Sequence, residues 1–145
     1  MEAHKIEMAL IGSSEIKFML NSPSEEIDAD ILKFGYINNV IPNLTQKTLT
    51  VDFGIQYSYN DEPILECRYA FYYGYNAPDN AGVITSAEDG LNINNDLMKI
   101  ALNVATGAIR GIMIARTAGT PLAKFPLPLL DLQGLMESVT LLPSE

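Results

Sequence analysis

The chain has 145 residues, with 18 acidic against 9 basic side chains and a formal net charge of −9. This length fits one domain with one hydrophobic core, and we expect residues 1–145 to form it. The charge repels phosphate backbones, so we expect no nucleic-acid partner. A single cysteine, Cys67, is typical of a reducing compartment. Residues 1–5 lack the pattern of a secretory signal, and a cytoplasmic location is expected.

Alternating apolar residues predict strands across residues 5–75. Residues 6–11 and 16–20 are predicted to be two halves of one strand. Gly12 between them favours a bulge, because glycine tolerates the backbone angles that a bulge requires. An acidic loop over residues 25–30 precedes a shorter strand at 31–37, and turns are predicted at 38–39 and 41–43.

The clearest strand signal is a hairpin formed by residues 49–59 and 64–75. In its first strand an apolar side chain occupies every second position, which predicts one packed face and one solvent-exposed face. The packed residues are Leu49, Val51, Phe53, Ile55, Tyr57 and Tyr59. The second strand places Leu65, Cys67, Tyr69, Phe71, Tyr73 and Tyr75 on the matching face.

The second half is predicted to be helical after a polar connection at residues 76–90. A long helix is expected from about 94 to 118, with Asn94 as its N-cap and Gly119 as its stop. Its apolar stretch, 100–115, is shorter than the ~20 residues that span a membrane, so no membrane insertion is expected.

Prolines at 121, 126 and 128 make residues 120–130 irregular, and Asp131 is expected to cap a short helix over 131–138. The order of elements predicts an α+β fold, in which one long and one short helix pack on one side of a four-stranded antiparallel sheet.

Catalytic chemistry has little support in the sequence. The one histidine, His4, lies near an end, and nothing brings it to Ser13 or Ser14 as a triad would require. Cys67 falls on an apolar strand face, where cysteine acts as a small hydrophobic residue. No metal-ligand spacing or phosphate-binding loop is present. We therefore expect no enzyme, no cofactor and no metal.

Small residues recur along one face of the long helix, which lets another backbone come close. Two interpretations are open: tight packing on the protein's own sheet, or a helix–helix interface between subunits. The residues are Ala101, Ala105, Ala108, Gly111 and Ala115.

The order of these elements resembles that of the SecB-type export chaperones. Three stretches carry the resemblance: Ser14-Glu15-Ile16-Lys17-Phe18 with Asn21-Ser22-Pro23; the hairpin; and Ala108-Ile109-Arg110-Gly111-Ile112, followed by a proline-rich crossover and Leu127-Pro128-Leu129-Leu130-Asp131-Leu132. The resemblance implies a Greek-key sheet, assembly into dimers or tetramers, and binding of unfolded or extended polypeptides as a holdase. The alternative that it leaves open is an adaptor with a single partner, such as a toxin–antitoxin-associated chaperone.

The resemblance also implies positions for the functional residues. Glu15 falls where members of the family carry an acidic residue that helps to dock the export motor ATPase. Met19, where another carboxylate is usual, and the short tail after Ser138 weaken the expectation that this motor is bound. The apolar crossover, the short helix and the aromatic sheet face are expected to bind the client; their residues are Tyr57, Phe71, Tyr73, Phe125, Leu127, Leu129, Leu132, Leu135 and Met136.

Overall fold

Four long strands fill the first half of the chain in the computed structural model, which describes residues 6–87 and 90–142. They are β1 (Glu7–Leu20), β2 (Leu32–Asn43), β3 (Thr48–Tyr59) and β4 (Glu62–Asn76). The turns predicted at 38–39 and 41–43 are wrong, because β2 pairs with β3 without interruption from Leu32 to Asn43. Pairing with a neighbouring strand outweighs the weak turn preference of the asparagines here.

The main sheet has five strands in the order β1-β4-β3-β2-β7, where β7 is the short strand Thr140–Leu141. Strand β1 pairs antiparallel with β4, and its register shifts twice, between Leu10 and Gly12 and between Glu15 and Lys17. The first shift is the bulge expected at the glycine. The prediction of four strands is corrected by β7 (Thr140–Leu141), which pairs parallel to β2. A strand of two residues is too short to show the alternation of apolar and polar side chains by which strands are predicted from sequence.

The connection predicted at residues 76–90 is also corrected. It contains β5 (Ile84–Ala87), which forms an antiparallel ribbon with β6 (Gly90–Ile93). Val83 and Ile93 are buried together at the open end of this ribbon, where Ile84 pairs with Ile93. The amide of Asn94 donates to the Val83 carbonyl at 2.7 Å and extends the pairing at that end. Burial of this end therefore stabilises a ribbon that the polar composition did not suggest.

Both helices begin where the caps predict. In α1 (Asn95–Thr117) the side chain of Asn94 accepts hydrogen bonds from the amides of Asp96 and Leu97. Gly119, with a φ of +81°, lies just beyond its end. Helix α2 (Leu132–Ser138) is capped by the Asp131 carboxylate. The crossover between the helices, residues 120–130, contains one regular piece, a 3-10 turn at Pro121–Lys124.

Helix α1 covers one face of the sheet and buries its apolar side there. Leu102, Ile109 and Met113 are fully buried in the same cluster as the sheet residues Val51, Phe53 and Tyr73. By length and composition alone the helix could cross a membrane, since an 18-residue stretch of it has a mean hydropathy of 1.4. Core helices share this property, and α1 packs as a core helix does.

The opposite face of the sheet carries ion pairs. Asp52 lies on the face of β3 that the alternation predicts to be solvent-exposed. It is nevertheless buried, and its carboxylate accepts a hydrogen bond from Arg68 Nε at 2.8 Å. Nearby, Lys17 Nζ lies 2.7 Å from Glu66 Oε2. Pairing with the Arg68 guanidinium offsets part of the desolvation cost of this buried carboxylate. This face therefore differs in chemistry from the helix-covered face.

Candidate functional site

Two aromatic rings lie exposed on the helix side of strand β2, beyond the cover of α1. Phe34 is 49% exposed and Tyr36 is 40% exposed. Each packs at a ring-centroid distance of 6.3 Å against a buried ring of β3, Phe34 on Tyr57 and Tyr36 on Phe53. We call Phe34 and Tyr36 the edge platform. Large apolar side chains on an exposed sheet edge mark a surface that binds another chain.

The crossover is attached beside this platform by side chains that bind its carbonyl groups. Tyr57 Oη donates to the Phe125 carbonyl at 3.0 Å. Arg110 of α1 donates from Nε to the Leu127 carbonyl and from Nη2 to the Pro128 carbonyl, both at 3.1 Å. Burial raises the pKa of Tyr57 to about 12, so its hydroxyl can still donate this bond at a pH above 10, where an exposed tyrosine loses its proton. The crossover is thus fixed at three carbonyls without a regular ladder.

Helix α2 lies on the other side of the platform and is held by Asn38 of β2. Asn38 Nδ2 donates to the Leu135 carbonyl at 2.8 Å and lies 3.3 Å from Ser138 Oγ. Asn38 is buried, and within residues 6–87 and 90–142 its Oδ1 has no partner. Leu135 is the one buried residue of α2, at 2% exposure. A helix of seven residues is marginal alone, so these contacts determine its position.

The outer edge of β2 is open for half its length. Strand β7 pairs with β2 only at Asn39 and Val40. In the described part of the chain, no strand pairs with the outer edge from Leu32 to Ile37. A 3-10 turn at Ala29–Ile31, capped by Asp28, adds acidic side chains at this end. An exposed edge beside exposed rings can bind an extended chain through both its backbone and its side chains.

The aromatic residues predicted to floor the client site lie in the core. Tyr57, Phe71 and Tyr73 are all buried, and Tyr73 Oη donates to the Ala101 carbonyl of α1 at 2.8 Å. Burial also raises the pKa of Tyr73 to about 12. Among the predicted crossover and α2 residues, Leu127 and Leu135 are buried, Phe125, Leu132 and Met136 are half-buried, and Leu129 is 89% exposed. The structure therefore brings Leu129, rather than the three core rings, to the surface.

Sequence reasoning did not single out Phe34 and Tyr36. The signal that could have found them is the alternation of Leu32, Phe34, Tyr36, Asn38 and Val40, which share the helix-side face of β2. Predicted turns ended that strand too early. No face was therefore assigned to its rings.

The small residues of α1 divide between two environments. Ala101 and Ala105 are buried in the protein's own core, Ala108 is half-buried, and Gly111 and Ala115 are exposed. A different set of residues lines the exposed side at alternating spacings of four and three, and we call it the outer stripe of α1: Ile100, Val104, Gly107, Gly111 and Ile114. A Cβ atom added at Gly107 or Gly111 would meet nothing within 4 Å. Close packing within the subunit therefore does not account for these two glycines.

Glu15, predicted to contact an export motor, is engaged by its own chain. Its Oε1 accepts from Tyr69 Oη at 2.9 Å and lies 2.7 Å from Arg116 Nη1 of α1. Burial, followed by the hydrogen bond to Glu15, raises the pKa of Tyr69. The Arg116 guanidinium also lies 4.2 Å from the centroid of the Phe18 ring. Glu15 thus joins β1 to the end of α1, and a docking role for it stays a prediction.

Residues 6–87 and 90–142 contain no cluster of three or more His, Cys, Asp or Glu side chains placed to hold a metal ion. His4, the only histidine, lies outside the described residues. Cys67 is buried in the core, and burial raises the pKa of its thiol to about 11. The exposed apolar side chains of the edge platform and of Leu129 form the candidate binding surface.

The overall architecture is that of a SecB-like chaperone fold. The solved structure of the Mycobacterium tuberculosis Rv1957 SecB-like chaperone, in complex with a ChAD peptide from the Rv1956 HigA1 antitoxin, superposes on this chain with a TM-score of 0.50. The match covers 85% of this chain and 86% of that chain at 13% sequence identity. No protein-family model matches the sequence, and no curated protein is similar to it. At this identity the likeness shows the fold.

Proposed function

We propose that this protein is a holdase-type chaperone that binds unfolded or extended polypeptide. The observation that carries the proposal is the edge platform, where two exposed rings lie beside the open edge of β2. A folded protein without a partner at this edge would bury such rings or guard them with charge. Leu129 on the adjacent crossover extends the apolar surface.

The chemistry of the site suits many sequences. Aromatic rings and a leucine offer apolar area without a fixed pattern of hydrogen-bond donors, so they discriminate little between clients. The backbone groups of the β2 edge are the same for every extended segment. The net charge of −9 favours clients with basic flanks. Cytoplasmic residence and a role in protein export, with Glu15 docking a motor ATPase, belong to the same proposal.

The second candidate function is an adaptor for a single partner. The favouring observation is that the Rv1957 SecB-like chaperone was solved with a peptide from an antitoxin. If this chain acts in the same way, its client is one short extended segment of a partner protein. The two functions use the same surface, and breadth of clients separates them.

The experiment measures whether the purified protein suppresses aggregation of several unrelated proteins as they unfold. Broad suppression supports the holdase, whereas activity on one partner supports the adaptor. The double variant Phe34→Ser/Tyr36→Ser should lose suppression while circular dichroism shows an unchanged fold. Tyr72→Ser is the matched control, because Tyr72 is an exposed aromatic on the opposite face of the sheet, beside Ser14. Full activity of the double variant would refute this site.

We also propose that the protein self-associates as a dimer or tetramer through the outer stripe of α1. The support is a helix face that carries Ile100, Val104 and Ile114 at the surface, with two open glycines between them. Gly111→Leu should weaken the assembly, because overpacking a close contact costs typically about 1–3 kcal/mol. The same change should stabilise the single subunit, since glycine in a helix interior costs about 1 kcal/mol.

Light scattering at low micromolar concentration measures the assembly, and urea unfolding measures the subunit. Ala123→Leu, at an exposed position of the crossover, is the control for an added leucine. A strictly monomeric unaltered protein would contradict self-association. An assembly of unchanged size in Gly111→Leu would place the interface elsewhere.

A further inference from the structure

The chain after α2 returns to the sheet and pairs with the edge of β2. Thr140 is the partner of Asn39, Leu141 is the partner of Val40, and the two strands run parallel. The amide of Leu142 donates to the Val40 carbonyl at 2.9 Å. Val139 and Leu141 line, with Met98 and Met136, a cavity of about 270 Å³. The tail thus places alternate apolar side chains and a backbone hydrogen bond on the edge, as an added strand does.

This pairing is small compared with the rest of the sheet. It covers two residues, whereas β2 and β3 pair over the whole length of β2. Thr140 is exposed and Leu141 is 38% exposed, so little apolar area is removed from water. Parallel pairing is also slightly less stable per residue than antiparallel pairing. The tail is therefore an element that can leave the edge while the sheet stays folded.

The tail occupies part of the edge that lies beside the platform. Backbone groups alternate in direction along a strand, and β2 pairs with β3 without a register shift. Because the Val40 carbonyl points outward to Leu142, the backbone groups of Phe34, Tyr36 and Asn38 also point outward. A strand added along this row from Phe34 could not continue past Asn38 while β7 is in place.

We propose that residues 140–142 are a tethered occupant of the polypeptide-binding edge, and that a client strand along β2 displaces them. This inference rests on the proposed function, because it concerns the same surface. The tail occupies the edge of β2 in the way that a client segment with apolar residues at alternate positions would. Occupancy would cover the edge at Asn39 and Val40, and so shorten the length of β2 that can pair with another strand when no client is bound.

The expected effect follows from the fraction of molecules in which the edge is free. If only part of the population has the tail released, the apparent Kd for a client rises by the inverse of that fraction. Release of the tail should therefore lower the Kd by roughly three- to tenfold, equivalent to about 0.6–1.4 kcal/mol. A tail with no role in binding would leave the Kd unchanged.

The first test removes one backbone hydrogen bond of this pairing, the bond that lies beyond the last residue of β7. Leu142→Pro deletes the amide that donates to Val40 and leaves Leu141 in the extended conformation that precedes proline. Leu142→Ala is the matched control, because it shortens the same side chain but keeps the amide that donates to Val40. The probe is fluorescently labelled lactalbumin, permanently unfolded by reduction and carboxymethylation, and anisotropy gives its Kd. Leu142→Pro should bind it roughly three- to tenfold more tightly, and Leu142→Ala within about twofold of the unaltered protein.

The second test locks the tail in place. Asn39 and Thr140 are paired in register, so the double variant Asn39→Cys/Thr140→Cys can form a disulfide between β2 and the tail. Cys67 should not compete, because it is buried and its pKa is raised to about 11. The oxidised variant should bind the probe at least about tenfold more weakly, and a reducing agent should restore binding.

The outcomes separate the two proposals. If the unaltered protein binds the probe but Leu142→Pro gains no affinity, or the oxidised variant loses none, the tail is a structural strand and the inference is overturned. If only Leu142→Pro binds the probe, the tail occupies the edge in nearly all molecules of the unaltered protein, which supports the inference. If Leu142→Pro does not fold, the disulfide variant decides the question. No binding by any of these proteins would refute the proposed function, and the inference with it.

Discussion

Whether α2 belongs to the cooperative core can be tested at two leucines that differ in burial. Leu135 of α2 is 2% exposed, whereas Leu129 of the crossover is 89% exposed. Replacing a buried leucine by alanine costs about 2–5 kcal/mol, since it loses transfer free energy and leaves a cavity. Leu135→Ala should therefore lower the free energy of unfolding by roughly 2–4 kcal/mol. Leu129→Ala should change it by less than about 0.5 kcal/mol.

The size of the Leu135 effect reports how α2 is attached. The helix has seven residues and is held by Leu135 and by the Asn38 side chain. If α2 unfolds together with the sheet, the full cost of the cavity left by Leu135→Ala lowers the free energy of global unfolding. If α2 detaches by itself, the loss of stability caused by Leu135→Ala cannot exceed the free energy with which α2 docks on the sheet. A loss well below 2 kcal/mol would therefore mean that α2 opens in the native state.

The assay is urea unfolding followed by far-ultraviolet circular dichroism, because the chain has no tryptophan. Hydrogen exchange of the α2 amides, compared with those of β3, distinguishes local from global opening. Leu129→Asp completes the set: it should leave stability unchanged but weaken binding of unfolded polypeptide by about tenfold or more, the value of one leucine buried on binding. Strong destabilisation by Leu129→Ala would refute the reasoning, since an exposed side chain has no core packing to lose.

Three further predictions concern buried and bridging groups. Arg110→Met keeps the apolar stem but removes the bonds to the crossover carbonyls, so limited proteolysis should cut residues 120–130 several-fold faster. Burial raises the pKa of Tyr57 and Tyr73 from 10.0 to about 12, so the native state keeps their protons where the unfolded chain loses them. The free energy of unfolding should then fall between pH 10 and 12, by up to about 1.4 kcal/mol per pH unit for each tyrosine, and Tyr73→Phe should reduce that slope. The Cys67 thiol, with its pKa raised to about 11, should react with a thiol reagent at pH 8 far more slowly than in the urea-unfolded chain.

The parts of the fold that could be predicted are those set by local pattern. The hairpin of β3 and β4 follows from an uninterrupted period of two, and α1 follows from its apolar period, the Asn94 cap and Gly119. The end of β2, the ribbon and β7 could not be predicted in this way. Each depends on a partner distant in sequence, such as β2 for Thr140 and Leu141.

The candidate site shows the same division. The apolar composition of the crossover identified Leu129, which lies in a segment that prolines 121, 126 and 128 keep irregular. Composition could not tell which aromatic rings reach the surface, because that depends on where α1 lies. Tyr57 and Tyr73 are covered, while Phe34 and Tyr36 lie beyond the helix on an outer strand. A period of two assigns a ring to a face but does not say whether that face is covered.

The way in which the covering elements are attached sets the free-energy cost of moving them. The crossover and α2 are held to the sheet and to α1 by polar side chains that bind backbone carbonyls, through Tyr57, Arg110 and Asn38. They are also held by three buried leucines: Leu122, Leu127 and Leu135. A polar bond of this kind contributes about 1 kcal/mol, whereas truncation of a buried leucine costs about 2–5 kcal/mol. Movement of the cover therefore depends mainly on whether these leucines leave the core. The edge platform, fixed by its contacts with buried rings of β3, would keep its shape as the cover changes position.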